Sequence, residues 1–280
     1  MISEQNLPHL IKLLDDKEPA TQQALKQEFA HSSGDISNEM AALALAIDLR
    51  PQDKAKLSRL LQPARATTLQ LEWQIPEGGA AAISDDWDSF EHHLRIISDY
   101  LHDGISLRPP LPDMIDLIAK EAQEELMEIN ADELRKWMFE SGRFLGNKEN
   151  YYLPQNSDLC WVADSGLGNP ISLATLFMLI GNRLDLEITG CNYPGHFLAR
   201  IFIDGEAQLV DCFHKGRLLT ASDILKDHKE ISLAAKMAIQ IDTPLGHILW
   251  RFLRNLEHSC NQLKRPEEAK LFDSLANSLH

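Results

Sequence analysis

The chain has 280 residues, 42 acidic and 27 basic, with a formal net charge of −15. That length allows one large domain or two to three small ones with a sizeable core, and 44% apolar with 25% charged residues is ordinary for a globular protein. So acidic a chain is a poor candidate for nucleic-acid binding, which rests on Lys and Arg neutralising phosphates, and four Cys without CxxC spacing do not make a disulfide scaffold.

The opening, MISEQNLPHLIKLLDD, has no basic segment followed by an apolar stretch. No secretory signal is expected, and reduced thiols in a cytoplasmic protein are the expectation. Residues 5–62 read as helical, with Leu10, Leu13, Leu14, Leu25 and Phe29 near helical period. Pro8 suits a first helical turn and Pro19 the start of the next helix. NEMAALALAIDL and KAKLSRLLQ follow as further helical pieces, and Pro63 is expected to break the pattern. The short paired helices resemble a helical repeat, without a clean internal repeat.

IPEGGAAAISDD, residues 75–86, has the composition of a linker. Trp87, Phe90, Leu94, Ile97 and Leu101 then mark one helix face, and Pro109, Pro110 and Pro112 interrupt the chain. MIDLIAKEAQEELMEINADELRKWMFES reads as one long helical stretch with a solvated acidic face.

The character then changes. LGNKENYYLPQNSDLC is loop-like, and a helix begins near Pro170. The longest apolar stretch, Ile171 to Ile180, is too short to span a bilayer, so no membrane association is expected. LEITGCNY, HFLARIFI and DGEAQLVDCF read as strands, and Asp204–Gly205 is a two-residue hairpin signal. With those two residues as the loop, paired residues have numbers that sum to 409, and Leu198 sits opposite Asp211. His196 shares that face as a diagonal neighbour, within reach of Asp211. A carboxylate beside an imidazole fixes its tautomer and stabilises the imidazolium, as a general base needs. The same counting puts Cys212 on the opposite face near Phe197, Ala199 and Val210, as a small core residue. From residue 220 the chain reads as helical again, ending in two helices joined near Lys264–Pro266.

Asn169 is a good N-cap and Pro170 fits the first helical position. A helix N-terminus favours a thiolate or developing negative charge, but Pro supplies no nucleophile. Ser172 is the local substitute, and first-turn Ser residues commonly bond backbone N–H groups instead. There is no G-x-S-x-G, Walker A or G-x-G-x-x-G motif. His92–His93 lacks metal-binding spacing, and Cys212 with His214 gives only two possible ligands, so no metal and no cofactor are expected. Tyr151, Tyr152 and Asn156 form a polar–aromatic loop that either lines a groove or packs its rings.

The stretches FESGRFLGNKENYYLPQNSDL, GNPISLATLFMLIGNRLDLEI, YPGHFLARI and VDCFHKGRLL together resemble the SirB1-type family. The resemblance implies an α+β fold: a papain/transglutaminase-like core, with a helix packed on a small antiparallel sheet. It also implies flanking helices, repeat-like at the N-terminus and tetratricopeptide-like at the C-terminus. The expected boundaries are 1–75, 84–225 and 226–280. In active transglutaminase-like enzymes a Cys at a helix N-terminus pairs with a strand His and an Asp on the next strand. His196 and Asp211 match that His and Asp, and Pro170 falls at the nucleophile, where the family itself usually carries Pro. The chain departs from the family in DSGLGNP, where a more basic Arg–Gly step is usual, and in Cys212, where the family has Pro.

Three readings follow. The preferred one is a non-catalytic protein whose cleft, lined by Asn156, Asn169, Pro170, Tyr193 and Cys212, binds a peptide or small ligand while the helical segments bind a protein partner. The alternative is a hydrolase or acyltransferase using His196 and Asp211 with Ser172 or a Cys as nucleophile. The third is a regulator acting through protein contacts alone.

Overall fold

The computed structural model describes residues 2–43, 49–220 and 233–280. The chain forms two compact units: Met1–Gln74 with Asp99–Pro109, and Ile75–Ser98 with Pro110–His280.

The first unit contains α1 (Leu7–Lys12), α2 (Pro19–Ala30), α3 (Ser37–Leu43) and α4 (Pro51–Glu72). Pro8, Pro19 and Pro51 each lie in a first helical turn, where the missing N–H costs no hydrogen bond. The apolar stripes meet in one core that includes Leu7, Leu25, Phe29, Ile36, Leu57, Leu61 and Ile105. Pro63 does not break the pattern as expected: α4 runs through it for 22 residues. Pro63 lies on the exposed face, so the carbonyl it leaves without a partner can be hydrated, while Leu57, Leu61, Ala64 and Leu69 are buried on the other face. Arg65 is buried beneath that face and donates to the carbonyls of Tyr100 and Asp103.

The second unit begins with the segment of linker composition. Gly79–Ile83 forms a 3-10 turn with Ile83 fully buried, and Ala80 N–H donates to Leu279 O at 2.9 Å. Small residues here let the backbone approach the C-terminal helices closely, so a composition that suggests a linker instead serves packing. α5 (Trp87–Leu101) buries Phe90, Leu94 and Ile97, the expected face.

The long helical stretch proves to be broken. α6 (Leu111–Glu125) stops at Leu126, whose backbone is extended, and α7 (Ala131–Arg135) restarts after Asn130. Asn130 caps α7 by accepting from Glu133 N–H at 2.9 Å, a local bond that competes with helix continuation. One π-helical turn, Lys136–Glu140, follows. Leu145–Gly146 (β1) pairs in parallel with Leu167–Gly168 (β2). Between them lie a 3-10 turn, Pro154–Ser157, and α8 (Leu159–Ser165), capped by Asp158.

α9 (Pro170–Arg183) is the central helix, buried all round from Pro170 to Gly181. It packs on β3 (Thr189–Cys191) and β4 (Leu198–Ile203), which form an antiparallel meander with β5 (Glu206–Asp211) and β6 (Arg217–Leu219). The β4–β5 register is the one the hairpin turn dictates, from Ile203 opposite Glu206 to Ala199 opposite Val210. Asp204 and Gly205 both have positive φ, 53° and 79°, the geometry of a two-residue hairpin turn. After α10 (Leu233–Gln240), α11 (Leu245–Gln262) and α12 (Pro266–Asn277) form the expected helical hairpin. The part of the C-terminal helical reading that falls on 221–232 lies outside the described residues. No helix among the described residues is long and apolar enough to cross a membrane.

Candidate functional site

The site lies where the β3–β4 loop meets the end of β5. Tyr193–Gly195 forms the turn into β4: His196 N–H donates to Tyr193 O, and Gly195 has φ +77°. His196 follows, half-buried, and its Nε2 lies 2.7 Å from Asp211 Oδ1. The diagonal relation implied by the register therefore brings these two side chains together. The carboxylate holds Nε2, so Nδ1 is the nitrogen left to exchange a proton with a ligand.

Asp211 has a second partner that sequence reasoning missed. A 3-10 turn, Cys212–His214, follows β5, and Asp211 caps it by accepting from His214 N–H at 3.1 Å. His214 Nδ1 lies 2.8 Å from Asp211 Oδ2. One carboxylate thus bridges two imidazoles, with ring centroids 5.6 Å apart. Burial works to raise the Asp211 carboxyl, but the hydrogen bonds and charges of His196 and His214 outweigh it and hold the group below its ordinary value. The signal available in sequence was the Asp-x-x-His spacing, which suits an Asp that caps a short turn.

Aromatic rings surround the cluster. Phe213 meets His196 edge-on at 6.2 Å and Tyr151 at 5.8 Å. Asn156, expected to line the cleft, is almost fully buried and fastens the loop that carries Tyr151: its Nδ2 donates to the carbonyls of Asn150 and Tyr151, and its Oδ1 accepts from Asn147. Tyr193 packs partly buried against Cys191, Leu198 and Leu209. Cys212 is fully buried in the turn after β5, with its Sγ 3.8 Å from the Val210 carbonyl, and burial pushes its thiol well above the ordinary value.

Beneath the cluster, Arg135 is 3% exposed and donates to Asp132, Glu140 and the carbonyl of Gly216. Gly216, φ +67°, lies against Phe139, where a Cβ would sit 2.8 Å from that side chain. The π-helical turn and Arg135 together anchor the turn that presents His214. No sequence signal joins positions 81 residues apart.

The start of α9 is different in kind. Asn169 Oδ1 accepts from Ser172 N–H at 3.0 Å and from Ser172 Oγ at 2.8 Å, while Asn169 Nδ2 donates to Ser157 Oγ at 2.9 Å. Asn169, Pro170 and Ser172 are all buried. The turn Cys212–His214 packs on both α9 and β1, which brings the helix and the histidine cluster into one region of the fold. A cavity of about 410 Å³ opens beside the β3–β4 loop, lined by Asn192, Pro194, Met237, Ile241, His247 and Arg251. Arg251 donates to Asn192 Oδ1, and burial lowers its basicity.

Comparison with known proteins agrees with this architecture. Residues 111–242 match the family model of the transglutaminase-like superfamily. Two proteins described as UPF0162 protein, from two strains of Xylella fastidiosa, are 34% and 33% identical over 149 and 150 residues. Each match covers 51% of this chain and 53% of the relative, so the chain spans about half the length of these curated relatives. F-box only protein 21 of Mus musculus is 27% identical over 107 residues, 35% of this chain and 17% of that protein. No solved structure matches the chain.

Proposed function

We propose that this is a SirB1-type protein that keeps the transglutaminase-like scaffold without its catalysis, and that its cleft binds a peptide while its helical segments engage a protein partner in the cytoplasm. The observation that carries the reading is the start of α9. Pro170 stands at the nucleophile position that the resemblance implies, and the hydroxyl in that turn, Ser172, is buried and donates to Asn169. The four Cys are buried as well. Burial pushes the thiols of Cys191 and Cys260 up to about 11 and about 12, away from the thiolate that nucleophilic chemistry needs. None of Asn156, Asn169, Pro170, Tyr193 and Cys212, the residues expected to line the cleft, lines the cavity beside the β3–β4 loop; that cavity offers the binding role a neighbouring surface instead, with apolar wall from Pro194, Met237 and Ile241 and a cation, Arg251, suited to a carboxylate.

A second reading draws on the 2.7 Å His196–Asp211 bond: a hydrolase or acyltransferase with Ser172 or a Cys as nucleophile. Chemical labelling separates the two. The protein and its His196→Ala variant are treated with a fluorophosphonate and, separately, with iodoacetamide, in the presence of EDTA, and labelled residues are mapped by mass spectrometry. The non-catalytic reading expects no labelling that depends on His196. His196-dependent labelling of Ser172 or of any Cys overturns it.

A further inference from the structure

We propose that His196, Asp211 and His214 form a binding site for one divalent transition-metal ion of the zinc type, with a coordination position left open to solvent. The inference goes beyond the non-catalytic reading and does not rest on it, since it concerns what the three side chains hold and not whether a nucleophile exists.

Convergence is the first argument. Each of the three residues offers one donor atom, and these atoms all lie within 4.8 Å of one another. Two separations are already set, 2.7 Å from His196 Nε2 and 2.8 Å from His214 Nδ1 to the two oxygens of Asp211. A tetrahedral zinc ion with ligands at about 2.0–2.1 Å spaces its donors about 3.3 Å apart, so entry of the ion opens the two short separations by about half an ångström each and draws the widest pair of donors, up to 4.8 Å apart, inward toward the same spacing. His214 is on a short turn with its side chain 49% exposed, and can make that movement without disturbing the sheet.

The donor set is the second argument. Two imidazoles and one carboxylate form the kind of three-ligand set that catalytic zinc sites use, with water or a ligand atom in the fourth position. The structure also supplies supports for the donors. Asp211 Oδ1 is fixed by His214 N–H, and the turn is fastened below by Arg135 on the Gly216 carbonyl. His196 Nε2 and His214 Nδ1 both face the carboxylate, so in the metal-bound state each imidazole keeps its proton on the other nitrogen. Binding therefore exchanges two N–H···O bonds for three metal bonds, and any proton released comes from the imidazole nitrogens that face Asp211. The acidic chain, at −15, favours cation entry over anion entry.

The test uses the full chain, freed of metal with chelator and dialysed. Zinc binding is followed by titration calorimetry, and Co²⁺ is added separately to read its visible absorption. The same measurements are made on His214→Ala and on His196→Ala, with circular dichroism to verify the fold of each. The expected result is one equivalent of zinc, strong tetrahedral-type Co²⁺ absorption, and a loss of affinity of at least about tenfold in both variants. His214→Ala keeps the proposal falsifiable if His196→Ala fails to fold, because the His214 side chain is half exposed. Absence of saturable one-equivalent binding overturns the proposal. So does binding of unchanged affinity in His214→Ala, which would place the ion on other histidines of the chain.

Discussion

The two halves of the candidate site are built on opposite principles. At the sheet end, Asp211 gathers two imidazoles that keep contact with water: the His196 and His214 side chains are 27% and 49% exposed. At the helix end, Asn169, Ser157 and Ser172 satisfy one another in a buried network, and Pro170 closes the first turn. Polar groups in the first half can exchange partners with a ligand at small cost, because water already competes for them. Those in the second can do so only by leaving a buried donor or acceptor unpaired, at about 1–3 kcal/mol each. The difference teaches where a ligand can compete: the histidine cluster is open to water, and the start of α9, where the resemblance to transglutaminase-like enzymes implies a nucleophile, is tied down.

The largest expected effect comes from removing the support under the open half. Arg135→Ala deletes a buried guanidinium and leaves the Gly216 carbonyl and the Asp132 carboxylate without it. Breaking a buried pair costs about 3–5 kcal/mol, and because Asp132 and Glu140 are partly exposed the lower end applies, about 3 kcal/mol. Urea denaturation checks it; a loss under about 1 kcal/mol would mean that the π-helical turn holds Gly216 without Arg135. Asn169→Ala attacks the closed half. It loses a helix cap, about 1 kcal/mol, and strands two buried hydroxyls, so about 2 kcal/mol is expected in the same assay. The same change made as Asn169→Asp keeps the acceptor for Ser172 and should recover part of that loss.

A smaller effect follows from the buried thiols. The folded pKa of Cys191 is raised by burial to about 11, above an unfolded value near 8.5. Its contribution to stability is full below that unfolded value. As pH rises between the two, the unfolded chain releases the proton and the native state keeps it, so stability falls, and the loss is complete above about 11. Urea midpoints measured from about pH 7 to about pH 10.5 should decline, and Cys191→Ala should flatten part of that decline. Equal slopes in both proteins would mean that Cys191 ionises as easily in the folded state as in the unfolded chain.

What the sequence disclosed divides along the same line as the site. Asp204–Gly205 has one favoured turn geometry, and that geometry fixes the register, so the pairing of His196 with Asp211 follows from counting residues along the two strands. Asn169–Pro170 announced its helix start equally well. Both signals are local. Helical periodicity, by contrast, continues across residues 126–130, and only the cap at Asn130, three residues before Glu133, marks the break. Pro63 misled because its effect depends on which helix face meets water, and the chain does not state that before it folds. Arg135 on Gly216 and Tyr151 on Phe213 come from tertiary packing across 81 and 62 residues, which no local pattern encodes.

Pro170→Cys puts the comparison between the two halves to its most direct test, at the smallest cost in stability. Pro at this position pre-sets a helical backbone, and losing it costs about 0.4–1 kcal/mol. The introduced thiol would stand at the N-terminus of a 14-residue helix, a setting that lowers thiol pKa, but at a buried position, which raises it, so its reactivity depends on help from His196. If the open half can still act on the closed half, alkylation by iodoacetamide at neutral pH should be about tenfold faster than in the same variant carrying His196→Ala, a difference of about 1.4 kcal/mol in barrier. The four native Cys are present in both proteins, so alkylation is scored at position 170 by mass spectrometry. Equal rates with and without His196 would mean that the imidazole does not reach the first turn of α9. The His196–Asp211 pair would then belong to the cluster with His214 alone, and the proposed non-catalytic reading would rest on that separation as well as on Pro170.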